Sequence, residues 1–182
     1  AYSVYATDVD GDGDMDVLSA SQNNATVAWY ENDGSEKFTA KTITNSANGA
    51  LSVYAADVDG DGDMDVLSAS MSNDTVAWYE NDGSENFKTH LISTNSRGVK
   101  SVFAFDLDMD GDIDVLSASW DDNTIAWHEN NGSANFTTHI ITTNAYKARS
   151  VYASDIDGDG DVDVLTASNA NDILGPLNIL TE

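Results

Sequence analysis

The chain contains no cysteine, which excludes disulfide staples and thiolate metal sites and leaves its redox compartment open. Basic residues are scarce: seven Lys and Arg face 32 Asp and Glu, for a formal net charge of −25. Most of the acids therefore lack a salt-bridge partner, and a compact body with that charge repels itself unless something neutralises it. Nucleic acid and anionic membranes are poor partners for such a surface, whereas cations are good ones. No apolar run approaches the ~18 residues that a membrane-spanning helix needs. No secretory leader is expected within these residues, because Ala1-Tyr2-Ser3-Val4-Tyr5 starts in the middle of a repeat unit. The expectation is a processed or excised piece of something longer. The sequence also offers no Ser-His-Asp grouping, no phosphate loop and no zinc site, so no enzymatic activity is expected.

What is present is repetition. Asp8, Asp57, Asp106 and Asp155 open the same nonapeptide at intervals of 49 residues, and Trp29, Trp78 and Trp127 follow at the same interval. The units run 1–49, 50–98 and 99–147, with an incomplete fourth at 148–182, within one repeat domain of 182 residues. Hydrophobic residues make up 41% of the chain, enough to build a core. In the second unit the strands read Ser52–Ala56, Val66–Ser70, Thr75–Glu80 and Phe87–Thr94, rich in β-branched and aromatic residues. The Asn-Asp-Gly-Ser and Asn-Asn-Gly-Ser links suit hairpin turns, because Gly and Asn tolerate positive φ. No stretch has a helical period. The chain is all-β, and four strands per unit of this size is the blade of a β-propeller. The last unit departs from the pattern over 173–182, with Pro176 where the tryptophans stand. About 3.7 units leave three arrangements open: a partial propeller, a ring completed by a second copy, or a small four-bladed ring.

The chemistry lies in Asp8-Val9-Asp10-Gly11-Asp12-Gly13-Asp14-Met15-Asp16. Many hard oxygen donors on a curling backbone suit Ca²⁺, which takes six to eight oxygens in flexible geometry. Asp8, Asp10 and Asp12 supply carboxylates from positions 1, 3 and 5. Gly13 at position 6 permits the sharp turn, Asp14 at position 7 offers its carbonyl, and Asp16 at position 9 closes the shell. The equivalents are Asp57, Asp59, Asp61, Asp63 and Asp65; then Asp106, Asp108, Asp110, Asp112 and Asp114; then Asp155, Asp157, Asp159, Asp161 and Asp163. Met109 replaces glycine at position 4 of the third loop, so this scheme requires glycine only at position 6. An EF-hand is excluded, because position 12 is Ser19, Ser68, Ser117 or Thr166 instead of an acid, and a strand follows. The expected complement is about one Ca²⁺ per loop, four in all.

Ser-Val-Tyr-Ala followed by Asp-Val-Asp-Gly-Asp-Gly-Asp-Met-Asp-Val-Leu resembles the FG-GAP or VCBS repeat of integrin-α-like β-propellers and of many bacterial secreted proteins. The resemblance covers all but the C-terminal ten or so residues. It implies Ca²⁺ held between the first two strands of a blade, with the acids at positions 1, 3, 5 and 9 as side-chain ligands. It fixes no activity.

Trp29, Trp78 and Trp127 are expected to pack between blades, and His128 to replace Tyr30 and Tyr79 in packing. Trp120 is different. Its equivalents are Gln22, Met71 and Asn169, and variation between repeats gathers on the face opposite the Asp loops, at Arg97, Lys100, Tyr146 and Arg149 among others. Four of the seven basic residues, Lys147 included, lie near that face. The varied face is thus expected to be the binding surface. The leading function is a calcium-stabilised, non-enzymatic binding or adhesion module of a secreted or cell-surface protein. The alternatives are a lectin-like carbohydrate binder and an accessory domain of a polysaccharide-degrading enzyme. Millimolar extracellular Ca²⁺ suits weak, repeated Asp sites.

Overall fold

The computed structural model describes residues 1–169 and the strand at 177–178. Three repeats each form a four-stranded antiparallel sheet in simple up-and-down order. The first comprises β1 (Ser3–Thr7), β2 (Asp16–Ser21), β3 (Thr26–Asn32) and β4 (Phe38–Thr44). The second comprises β5 (Ala50–Ala56), β6 (Asp65–Ser70), β7 (Thr75–Asn81) and β8 (Phe87–Ser93). The third comprises β9 (Val99–Phe105), β10 (Asp114–Ser119), β11 (Thr124–Asn130) and β12 (Phe136–Thr142). Among the described residues the fourth has three strands: β13 (Ser150–Ser154), β14 (Asp163–Ala167) and β15 (Leu177–Asn178). These are the blades expected from the sequence. β15 pairs Leu177 with Val164, the register in which His128 meets Val115 one repeat earlier. Pro176 and most of 173–182 lie outside the described residues.

The core lies between blades. Each second strand is covered on both faces, and β6 and β10 are buried at every position, so Asp-Val-Leu-Ser-Ala-Ser reads as a continuous run with no alternation. The outermost strands β4, β8 and β12 alternate weakly and face solvent. One apolar cluster joins the first two blades through Leu18, Val27 and Trp29 against Val53 and Val66. The next joins Val76 and Trp78 to Val102 and Val115. The third joins Leu116 and Ile125 to Val151 and Val164. Trp29 and Trp78 are buried, with Phe87 of the second blade meeting Trp29 edge-on at 6.3 Å. Inter-blade packing is therefore their role, and Trp127 packs against the third cluster in the same way.

On the innermost strands, Tyr5, Tyr54, Phe103 and Tyr152 form a ladder with centroid separations of 4.6, 5.0 and 4.5 Å. The first and last described blades differ from the internal ones. Val53, Val102 and Val151 are each 4% exposed where a blade precedes them, but Val4 is 66% exposed. Val9, Val58 and Leu107 plug into the following blade at 2% exposure, whereas Ile156 at the far end is 56% exposed.

Candidate metal centres and binding face

Each Asp loop joins the first two strands of its blade and is curled by its own carboxylates. Asp8 accepts the N–H of Gly11 through Oδ1 (2.8 Å) and that of Gly13 through Oδ2 (2.9 Å). Asp10 accepts from Asp12 (3.2 Å), and Asp12 from Asp14 (2.8 Å). The other three loops repeat the scheme, with one break in the third. Position 6 has φ between +96° and +100° in all four loops. That is beyond the left-handed well that non-glycine residues enter, so only glycine serves there. Position 4 is also left-handed, at +77° or +78° in three loops, which corrects the expectation that only position 6 carries a conformational demand. Met109 meets it at +61°, inside the tolerated well, and makes no bond matching that of Gly11 to Asp8. Asp106 Oδ1 is left buried with no hydrogen-bond partner among the described residues.

Position 9 is the structural clamp. Asp65 is fully buried and accepts the N–H of Val58 through Oδ2 (3.0 Å) and of Asn81 through Oδ1 (2.7 Å). Asp16 and Asp114 do the same. Burial pushes Asp65 and Asp114 up to about 6 against the pull of those N–H groups. The indole N–H groups of Trp78 and Trp127 face these carboxylates and add to that pull, though neither reaches hydrogen-bond geometry. Position 7 turns away from the loop. The carboxylates of Asp14, Asp63 and Asp112 lie where a side chain would grow from Gly34, Gly83 and Gly132 of the hairpin turns, so position 7 offers the loop its backbone only. The turn and the Asp loop of a blade therefore share one face.

Neighbouring blades lock this geometry. Asn81 donates to Val9 O (3.2 Å) and Met64 O (3.2 Å), and Asn130 to Val58 O (2.9 Å) and Ile113 O (3.1 Å). One Asn thus ties its own loop to the loop of the blade before it. The Asn signal was in the sequence, two residues after each Trp-aromatic pair, but its target 72 residues back was not.

Carboxylate oxygens within 4.8 Å of one another converge from Asp8, Asp10 and Asp16 in the first loop and from Asp155, Asp157 and Asp163 in the fourth. The second loop brings together Asp57, Asp59 and Asp61, and the third Asp106, Asp108 and Asp110. Burial, with neighbouring carboxylates adding to it, holds Asp10, Asp59 and Asp108 above the ordinary carboxylate value. These hard donors, mutually repelling and with one buried oxygen unpartnered at Asp106, fit a divalent cation. Asp10 also approaches Glu31 and Glu85, but there the Lys41 ammonium already bridges the two glutamates and covers the Trp29 ring at 4.3 Å. His90 and His139 take the place of Lys41 in the next blades, lying on Trp78 and Trp127 and bonding Glu80 and Glu129.

On the opposite face the connections between second and third strands touch those between blades. Trp120 donates its N–H to Gly98 O and Asp121 to Arg97 O, both at 3.1 Å. Lys100 Nζ lies 3.5 Å from the Trp120 ring centroid, the Arg149 guanidinium 4.6 Å and Lys147 Nζ 5.1 Å, with Lys147 5.6 Å from Tyr146. The structure therefore brings Trp120, Lys100, Tyr146 and Arg149 together and adds Lys147. Arg97 contributes only its carbonyl; its guanidinium is not among the cations on the ring. Two equivalent clefts open on this side. One lies between the first two blades, near Ser70, Thr75 and Thr89, and the other between the second and third, near Ser119, Thr124 and Thr138.

A family model described as an FG-GAP-like repeat matches the chain three times in tandem, over residues 8–68, 57–117 and 106–166. No curated protein matches it. Among solved structures the chain is similar to an Agrocybe aegerita lectin described in terms of specific recognition of non-reducing terminal N-acetylglucosamine. The TM-score is 0.63 at 21% identity, over 90% of this chain and 46% of that one. It is also similar to the V. cholerae biofilm matrix protein Bap1, with a TM-score of 0.52 at 20% identity, over 90% of this chain and 27% of that one. The chain spans less than half the length of either, and at these identities the likeness is one of fold.

Proposed function

The chain belongs to the FG-GAP-like repeat family, and on that premise we propose that it is a calcium-stabilised, non-enzymatic binding module that works outside the cell. The observation that carries this is the fourfold convergence of aspartates on a loop whose backbone is already curled, and which in the first two blades is also locked to the next blade. Twenty of the 32 acids lie in the four loops. Four Ca²⁺ would bring the net charge from −25 to about −17 and relieve repulsion where it is densest. Each site stabilises the folded chain by about 2.7 kcal/mol when free Ca²⁺ exceeds its Kd a hundredfold. The metal is structural in this reading, because the loop surrounds it with protein oxygens. Millimolar Ca²⁺ outside cells suits sites of this type.

The ligand is proposed to bind on the face opposite the Asp loops. A carbohydrate is favoured by one observation: the two clefts of that face repeat the same hydroxyl pattern, Ser70, Thr75 and Thr89 in one and Ser119, Thr124 and Thr138 in the other. Repeated polar pockets suit repeated hydroxyl-rich units. The lectin and the biofilm matrix protein of like fold are consistent with this reading.

The test is thermal unfolding in excess EDTA, then with Ca²⁺ or Mg²⁺ restored. The expected result is a large loss of stability in chelator, recovered by Ca²⁺ and poorly by Mg²⁺, which demands a smaller octahedral shell. An unchanged transition in chelator would sink the calcium reading. A glycan array probed with the Ca²⁺-loaded chain then tests the carbohydrate reading.

A further inference from the structure

The cations on Trp120 are unlike the paired lysines of the first two blades. Lys41 and Lys88 have carboxylate partners. Among the described residues Lys100, Lys147 and Arg149 form no ion pair, although the chain carries 32 acids. Instead they converge on one indole ring at 3.5, 5.1 and 4.6 Å. A cation over an indole face gains about 0.5–2 kcal/mol, which holds three like charges together without neutralising them. Lys100 is held below the ordinary lysine value by burial and by repulsion from Arg149 and Lys147, with only Asp121 opposing.

The repeats show that the blade does not require this arrangement. Trp120 stands where Met71 and Gln22 stand, and Arg149 where Lys100 and Leu51 stand. Lys147 replaces Gly49 and Gly98, yet keeps their left-handed backbone at φ +53° and repeats the N–H bond that Gly98 makes to Asp74, here to Asn123 Oδ1 at 2.8 Å. A non-glycine residue in that conformation costs on the order of 1 kcal/mol. The frame is rigid: Arg149 donates its backbone N–H to Ala167 O (2.8 Å) and its Nε to Asn169 (3.1 Å), and Asn169 donates to Tyr146 O (2.9 Å).

We propose that this junction between the third and fourth blades binds an acidic sugar unit of a glycan, with Lys100, Lys147 and Arg149 receiving its carboxylate and Trp120 and Tyr146 flanking its ring. It rests on the reading of the varied face as the ligand face, and adds the ligand's charge. Three cations around one ring are sized for a single anionic group. An acidic peptide, with its charges strung along an extended backbone, would run off this island onto a surface of net −25. A guanidinium accepts a carboxylate through two parallel N–H bonds, and an ammonium acts as a point charge beside it. The exposed Tyr146 phenol and the Asn169 amide supply bonding for neighbouring hydroxyls.

The experiment is calorimetric titration of the full chain in Ca²⁺ with a galacturonate trisaccharide, followed in parallel by tryptophan fluorescence. The controls are the uncharged galactose trisaccharide, a triglutamate peptide and sodium sulfate. Lys147→Gly, Arg149→Leu and Trp120→Met install residues that other repeats carry at these positions, so they preserve the fold, and unfolding curves check this. The expected result is saturable binding of the uronate alone, weakened at least tenfold by Lys147→Gly and by Arg149→Leu, and weakened by salt. Uronate binding that survives both substitutions would overturn the assignment, as would equal binding of triglutamate or of sulfate. Binding of the neutral trisaccharide with none of the uronate would remove the acidic sugar while leaving the carbohydrate reading intact. Failure of every glycan on a chain with a normal Ca²⁺ response would remove both and leave the calcium reading standing.

Discussion

At the scale of single residues, His128 shows how one repeat position accepts two chemistries. Its ring is fully buried, with Nε2 3.0 Å from Ser117 Oγ and Nδ1 2.9 Å from Thr138 Oγ1. In the second blade Tyr79 meets Ser68 at the same distance, 3.0 Å. Substitution within the packing was legible from the repeat alignment alone. The protonation consequence was not, because it depends on burial. Desolvation pushes His128 down to about 4 from an ordinary 6.5. Between those values the unfolded chain binds a proton that the folded chain refuses. The stability this group contributes is therefore fully present above pH 6.5 and is lost as pH falls towards 4, by up to about 3 kcal/mol. His128→Tyr should flatten that part of the stability–pH profile, measured by urea unfolding of both proteins at pH 7 and pH 4.5. An unchanged difference between the two pH values would show that His128 titrates normally. Met109→Gly makes a second test. It lets the backbone N–H of residue 109 turn towards Asp106 Oδ1 as that of Gly11 turns to Asp8, and it relieves a left-handed methionine, so the chain in chelator should gain about 1 kcal/mol in the same assay.

At the scale of elements, the Asp loop was readable because a local curl is specified locally: glycine at position 6, aspartates that cap the N–H two, three and five residues on. What the sequence left open was the outward anchor. Asp16, Asp65 and Asp114 spend both carboxylate oxygens on backbone N–H groups from separate segments, and Asn81 and Asn130, which end β7 and β11, reach the preceding blade. The proposed metal site and the blade interface are therefore coupled. Asn130→Ala would leave the buried carbonyls of Val58 and Ile113 unpaired, for a loss of about 2 kcal/mol in thermal or urea unfolding. It should also weaken Ca²⁺ binding at the second loop, Asp57 to Asp65, more than at the fourth, read by calorimetric Ca²⁺ titration. Equal weakening at all loops would mean the interface does not reach the metal.

At the scale of the whole molecule, charge and edges dominate. A chain of −25 gains from cations at every ionic strength, and salt should recover part of the stability lost in EDTA while leaving the Ca²⁺-specific part unrecovered. The two ends of the array show to solvent the surfaces that every internal blade buries, Val4 at one end and Ile156 with Tyr152 at the other. A second copy is one occupant that would cover them, since each end already fits a blade of this sequence. Light scattering of the Ca²⁺-loaded chain is expected to give the mass of two chains, falling to one when Val4 and Ile156 are both replaced by Lys. A single-chain mass at high concentration would leave the ends to other partners.

Repetition at 49 residues, the alternation of short β-rich runs with Gly-Asn-Asp turns, and five acids in nine residues determined the blade, its strand order and the carboxylate-lined loop. All of these are local, so one unit carries them. Which residues meet across blades was decided only by the tertiary structure, because those contacts join segments that are far apart along the chain. The Asn130 bond to Val58, the bare faces at Val4 and Ile156, and the gathering of Lys100, Lys147 and Arg149 on one indole all arise that way. The varied residues could be seen in the sequence. That three of them share a ring depends on how one blade is turned against the next.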